Sequence, residues 1–176
     1  MKRPFTLWFT GLSGAGKTTL ARKLERELSR RGYRPHVIDG DEIRKKISHD
    51  LGFSKKDIKE NQRRILEYAK AKLLRHDVLI TATISPHRTS RARARKTLPQ
   101  FIEIYCYSPH RVRATRDPKG LYKKLREGRI KNFIGTAITY EAPLRPEIRV
   151  NTHREKPRES ITRIVNFLTR KKILVA

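Results

Sequence analysis

Apolar residues in this chain gather in five short runs, separated by stretches where they recur every three or four positions. Phe5-Thr-Leu-Trp-Phe-Thr10 predicts a buried strand, and Pro35-His-Val-Ile-Asp39 a second. Val78-Leu-Ile-Thr-Ala-Thr-Ile84 is rich in β-branched residues and predicts a central strand ended by Ser85-Pro86. Phe101–Cys106 and Ile148–Val150 complete the set. Between them, the leucines of Leu20–Leu28 predict a helix that stops at Arg31-Gly32. Glu42–Arg44 opens another. Ile58, Ile65, Leu66, Ala69 and Leu73 predict a long helix from Lys55 to Arg75, with Ser54 as its N-cap and Asp57 three residues on. Thr89–Thr97 reads as an exposed basic helix. Ile161, Ile164, Val165 and Leu168 mark one face of a final helix, Glu159–Lys172. Strands alternating with helices predict an α/β fold with a mostly parallel central sheet, helices on both faces and one domain over 1–176.

One turn in this pattern carries chemistry. Gly11-Leu-Ser-Gly-Ala-Gly-Lys-Thr18 fits G-x-x-x-x-G-K-[ST] and stands between a predicted strand and a predicted helix. Glycines let backbone amides turn inward on a polyphosphate, and the helix N-terminus adds partial positive charge. Lys17 can reach the β- and γ-phosphates, and the Thr18 hydroxyl can ligand Mg²⁺. Asp39-Gly-Asp41 closes the second strand, and carboxylates at the C-terminal end of a strand in such a sheet point towards the phosphate crevice. Leu121–Lys131 is basic and poor in apolar residues. It reads either as a basic lid over phosphates or as a solvated helix.

Composition narrows the class. The 176 residues carry a formal charge of +26, from 43 Lys+Arg against 17 Asp+Glu, which favours anionic partners. The only cysteine, Cys106, cannot form an internal disulfide and points to a reducing compartment. No apolar run approaches membrane-spanning length, so a cytoplasmic location without membrane partners is expected. Nucleotide hydrolysis, switching and kinase activity all use this glycine loop. No Asn/Thr-Lys-x-Asp guanine-reading motif is evident, and a small fold with a basic lid suits phosphoryl transfer to a small acceptor.

Several separated motifs make the chain resemble the adenylylsulfate (APS) kinase family, from Trp8 to about Thr152. They are the Gly11–Thr18 loop; Asp39-Gly-Asp41 with Arg44; Asp50-Leu-Gly-Phe-Ser54; Glu60-Asn61 with Arg63-Arg64; Ile84-Ser-Pro86 with Arg88; Arg116-Asp-Pro-Lys-Gly-Leu-Tyr-Lys-Lys124; Ile130-Lys-Asn-Phe133; and Tyr140-Glu-Ala-Pro143. The resemblance implies a P-loop nucleotide kinase-like fold and transfer of the ATP γ-phosphate to the 3′-hydroxyl of APS, giving PAPS for sulfate assimilation. ATP is then the co-substrate and Mg²⁺ the cofactor. It implies ATP binding by Gly11, Leu12, Ser13, Gly14, Ala15, Gly16, Lys17, Thr18 and Thr19, with Arg116. For APS it implies Asp41, Arg44, Phe53, Asn61, Ile84, Ser85, Lys119, Asn132 and Phe133, with the two phenylalanines stacking on the adenine. Lys17 and Asp41 take the catalytic roles, and Thr18 and Asp41 hold the metal, Asp41 through water. Asp41 can orient the nucleophile, accept its proton or bind metal-bound water, and the sequence leaves the three open. Asp39 reads as structural. The serine matching Ser85 is sometimes described as a phospho-intermediate; with no adjacent general base in the sequence, direct transfer is the favoured reading.

The chain departs from the family pattern at Ile58, where an arginine is common, and at Phe133-Ile-Gly-Thr-Ala137. The family is often dimeric, which makes a homodimer a candidate assembly. The competing readings are another small-molecule or nucleoside P-loop kinase, and a basic nucleic-acid-binding protein with a vestigial P-loop. The second lacks a recognisable RNA module, and its basic residues are spread along the chain, so nucleic acid is not the expected partner.

Overall fold

The computed structural model describes residues 3–174, so the first and last two residues of the expected 1–176 domain lie outside it. Five parallel strands form the sheet: β1 (Phe5–Thr10), β2 (Pro35–Asp39), β3 (Val78–Ala82), β4 (Phe101–Tyr107) and β5 (Ile148–Asn151). Their spatial order is β2-β3-β1-β4-β5. The central strand, β1, pairs Leu7 with Ile80 on one side and with Ile102 on the other. From β1 the chain supplies β2 and β3 to one side, then β4 and β5 to the other. The crevice of such a sheet opens at the C-terminal end of the central strand, where Gly11 begins.

Side-chain alternation explains the layers. Phe5, Leu7 and Phe9 point to one face, where α1 (Lys17–Arg30) and α7 (Pro157–Arg170) pack Leu20, Leu24 and Leu28 against Ile161, Ile164 and Leu168. Trp8 points to the other face, with Ile38, Ile65, Leu66, Ala69, Leu79 and Ala94. That face is covered by α2 (Gly40–Ile47), α3 (Lys55–Lys72) and α4 (Arg88–Thr97). The Ser54 cap is a full capping box: its hydroxyl accepts from the Asp57 amide at 3.1 Å, and Asp57 accepts from the Ser54 amide at 3.2 Å.

The elements differ from the sequence expectation where tertiary contact overrides pattern. α1 begins at Lys17, inside the glycine motif, because Gly16 adopts φ 82 and lets the helix start there. β3 ends at Ala82 rather than Ile84, and Ser85 sits in the left-handed region at φ 45. The Leu121–Lys131 stretch is helical only as α6 (Leu121–Arg126), and Gly128 at φ 69 turns the chain away. A short helix α5 (His110–Arg116) was not anticipated, since it buries no residue and leaves no apolar period. The expected exposed helix α4 buries Arg91 and Ala94.

Candidate active site

The C-terminal ends of the strands frame a cavity of roughly 1240 Å³. The glycine loop forms one end. Gly11 adopts φ 146, and a Cβ there would run into the Cys106 carbonyl oxygen, so only glycine lets the loop cross β4 this closely. Ser13, Gly14, Gly16, Lys17, Thr18 and Thr19 line the cavity. Gly11, Leu12 and Ala15 do not. Ala15 is buried, and Leu12 lies beneath Gly135 of the segment that follows α6.

Lys17 is buried, and its ammonium donates to the Leu12 carbonyl at 3.0 Å. Burial pulls its pKa down to about 8. Lys119 adds to the shift, while Cys106, Asp41 and Asp39 oppose it. Thr18 Oγ1 donates to Asp39 Oδ2 at 2.7 Å, and the other Asp39 oxygen caps α2 by accepting the Asp41 amide at 2.9 Å. Asp39 therefore joins the phosphate loop to α2 and puts a hard oxygen pair beside Lys17, the donor type that Mg²⁺ prefers.

The same cavity gathers residues from distant segments. Asp41, Arg44, Phe53, Asn61, Ile84, Ser85, Lys119, Asn132 and Phe133 all line it. Phe53 is 52% exposed, and the Arg44 guanidinium lies 4.3 Å from its ring centroid. Arg44 also donates to the Leu51 and Gly52 carbonyls, at 3.0 and 2.8 Å. Phe133 is buried, edge-to-face against Tyr122 at 5.1 Å. Asn61 is 7% exposed, with its Oδ1 unpartnered. Ile58 lies on the same wall and is fully buried, so this departure from the family pattern replaces a cation with packed hydrocarbon. Of two cations that could take over that charge, Arg44 lines the cavity and Lys55 does not.

Lys119 crosses the cavity mouth to pair with Asp41. The basic segment around it is anchored to the phosphate loop. Tyr122 is buried and donates its hydroxyl to the Ser13 carbonyl at 3.0 Å, fixing α6 to the phosphate loop. Arg116 donates to Thr152 Oγ1 at 3.1 Å and to the Gly14 carbonyl at 3.3 Å.

Ser85 is fully buried. Its hydroxyl donates to Gln62 Oε1 at 2.8 Å and accepts from Trp8 Nε1 at 3.1 Å. With that proton committed to Gln62, Thr83 Oγ1, at 2.5 Å, is the donor of their shared bond. No carboxylate or imidazole is among these partners.

Sequence reasoning missed Gln62, Thr152 and Arg129, all of which line the cavity. Thr152 follows the end of β5, and the rule that ligands sit beyond strand C-termini points to it. Gln62 neighbours Asn61 but belongs to no motif.

A family model described as adenylylsulphate kinase matches residues 3–151. The chain is 45% identical over 168 residues to an adenylyl-sulfate kinase of Halothermothrix orenii, covering 94% of this chain and 90% of that one. It is 44% identical to an adenylyl-sulfate kinase of Vibrio cholerae over 98% of this chain and 81% of that one. Among solved structures it resembles the Mycobacterium tuberculosis APS kinase in complex with AMPPNP and APS. The TM-score is 0.87 and the identity 38%, over 96% of this chain and 99% of that one.

Proposed function

The chain belongs to the adenylylsulfate kinase family and is an ATP-dependent adenylyl-sulfate kinase, and from that premise we propose how its residues divide the work. The carrying observation is that one cavity is lined by the phosphate loop, by Asp41 and by both Phe53 and Phe133. ATP lies with its phosphates in the Gly11–Thr19 loop, and Arg116 and Thr152 meet its nucleoside end. APS lies with its adenine between Phe53 and Phe133, where base stacking on an aromatic ring contributes about 1–3 kcal/mol. Arg44 and Asn61 hold its ribose and phosphosulfate, and Ile84, Ser85, Lys119 and Asn132 complete the pocket.

The 3′-oxygen attacks the γ-phosphorus in line, the bond to the β–γ bridging oxygen breaks, and ADP leaves with that electron pair. Lys17 then exchanges its bond to Leu12 for the transferring phosphoryl. Asp41 orients the hydroxyl or takes its proton, and Lys119 transfers its contact from Asp41 to the substrate. Thr18 and Asp41, the latter through water, would hold Mg²⁺, and Asp39 stands beside Thr18 as a further oxygen. When bound, the ion neutralises charge on the β- and γ-oxygens. A homodimer and a cytoplasmic location complete the proposal. Among the described residues no helix is long and apolar enough to cross a membrane.

ADP release should depend on APS and fall to background when adenosine replaces it. Equal turnover with adenosine would reassign the acceptor.

The engaged Ser85 hydroxyl favours direct transfer. Ser85→Ala should keep kcat within about tenfold, because positioning and charge stabilisation carry the step. It should lower stability by about 1–3 kcal/mol, since Gln62 and Trp8 lose a buried partner. Radiolabel from γ-labelled ATP trapped on wild-type Ser85 without APS, at the rate of turnover, would instead establish a covalent route.

A further inference from the structure

Arg91 lies in a helix whose sequence, Arg88-Thr-Ser-Arg-Ala-Arg-Ala-Arg-Lys-Thr97, reads as solvent-facing. Its side chain is nevertheless only 4% exposed. A buried guanidinium is expensive to desolvate unless it is paired and its donors are met. Here Nε donates to Glu103 Oε1 at 2.6 Å, Nη1 to the Ser85 carbonyl at 2.5 Å and Nη2 to the Glu141 carbonyl at 2.6 Å.

The two carbonyls show what this grip holds. Ser85 has φ 45, a left-handed conformation that a residue with a Cβ keeps only where its surroundings over-determine it. Its hydroxyl is fixed by Trp8, Thr83 and Gln62, and its carbonyl by Arg91 at 2.5 Å, with Thr10 Oγ1 a longer second donor at 3.5 Å. The preceding carbonyl, of Ile84, accepts from Thr10 Oγ1 at 2.7 Å and from the Gly11 amide at 3.4 Å, so it too is committed away from the cavity. The other arm of Arg91 holds the segment around Glu141. That segment is pinned to the same turn: the Glu141 amide donates to the Pro86 carbonyl at 2.9 Å, and Glu141 Oε2 accepts the Arg88 amide at 2.8 Å.

We propose that Arg91 is a positioning residue for the acceptor: from outside the cavity, its forked grip on the Ser85 and Glu141 carbonyls holds the Ile84–Pro86 turn in the one shape that presents the acceptor correctly. Arg91 does not line the cavity and acts through Ser85. The inference rests on the reading that the acceptor lies against Phe53, Ile84 and Ser85. Released from Arg91, the Ser85 peptide relaxes towards negative φ and the stretch of wall it forms rotates. A misplaced wall misaligns the attacking hydroxyl, and alignment of the reacting atoms is where such transfers gain most of their rate.

The test is steady-state kinetics for both substrates, with thermal midpoints, on four variants. Arg91→Lys keeps a charge opposite Glu103 but loses the planar fork. It should raise the KM for APS by about tenfold or more and leave the KM for ATP within about twofold. Arg91→Met leaves Glu103 with only the more distant Arg95 guanidinium, at 3.7 Å, and should lose stability as well. Arg91→Met/Glu103→Leu removes both buried charges, so it should recover the thermal midpoint while the KM for APS stays high. Arg93→Met, the same charge loss at an exposed position of the same helix, should behave as wild type. Wild-type APS kinetics in folded Arg91→Lys or in the double variant would overturn the role of Arg91 alone. Wild-type turnover that does not depend on APS would overturn the acceptor reading, and the positioning role with it.

Discussion

Replacing Lys17 with methionine should nearly abolish turnover and, at the same time, raise the thermal midpoint of the unliganded protein at neutral pH. Both effects come from the same burial. Lys17 is 8% exposed, and among the described residues its ammonium donates one hydrogen bond, to the Leu12 carbonyl. Burial lowers its pKa from 10.5 to about 8. The unfolded chain therefore holds this proton more tightly than the folded one. Below about pH 8 the charge is present in both states, and folding carries the full penalty of burying it. As pH rises from about 8 to 10.5, the folded state has already released the proton and the unfolded chain has not, so the penalty fades. Its size is ~3 kcal/mol, from one unit being about 1.4 kcal/mol. Lys17→Met removes the penalty at pH 7, raising the midpoint by roughly 6–12 °C for a chain of this length. The gain should vanish towards pH 10. Catalysis moves the other way: in the proposed role the charge that is costly to bury stabilises the transferring phosphoryl, and its loss should lower kcat by about 10³-fold. Calorimetry across pH and turnover at saturating ATP measure the two arms. A folded Lys17→Met protein with near-normal kcat would remove the loop from the chemistry.

Asp41→Asn should cut kcat by about 10²–10⁴-fold while APS affinity changes little, the range expected for a positioned proton acceptor. The side chain is 57% exposed, at the cavity mouth, and its partner is Lys119 from the basic segment. Asparagine preserves the shape and the α2 start, which depends on Asp39. What it removes is the charge that the proposed mechanism sets near the hydroxyl that must lose a proton. Titration of APS and single-turnover rates separate the possibilities. A weaker affinity with intact kcat would make Asp41 a binding residue only.

The glycine motif, the alternation along β1 and the Ser54–Asp57 box were readable because each is local. A few adjacent residues fix the backbone, and the sheet then follows from how each strand divides its faces. Asp39 shows the limit of such reading. Its place at a strand end gave the direction, but its bond to Thr18 joins residues 21 positions apart and leaves no trace in either neighbourhood. The basic segments were harder. Composition could not separate a solvated helix from Arg91, buried among the Ser85, Glu103 and Glu141 oxygens, because a guanidinium looks the same in sequence whether water or protein satisfies it. Nor could it tell that Tyr122 ties α6 to the Ser13 carbonyl across 109 positions. Ser85 was legible as a turn before Pro86, but its left-handed conformation is imposed by its tertiary partners.

The most direct measurement follows the phosphorus itself. Purified protein is incubated with ATP, magnesium and APS, and the products are resolved by phosphorus NMR and mass spectrometry. The account predicts ADP and PAPS in equal amounts, with the new phosphoryl on the 3′-oxygen and the 5′-phosphosulfate intact. ADP formed without a 3′-phosphorylated product, or a phosphoryl placed elsewhere on the acceptor, would contradict it.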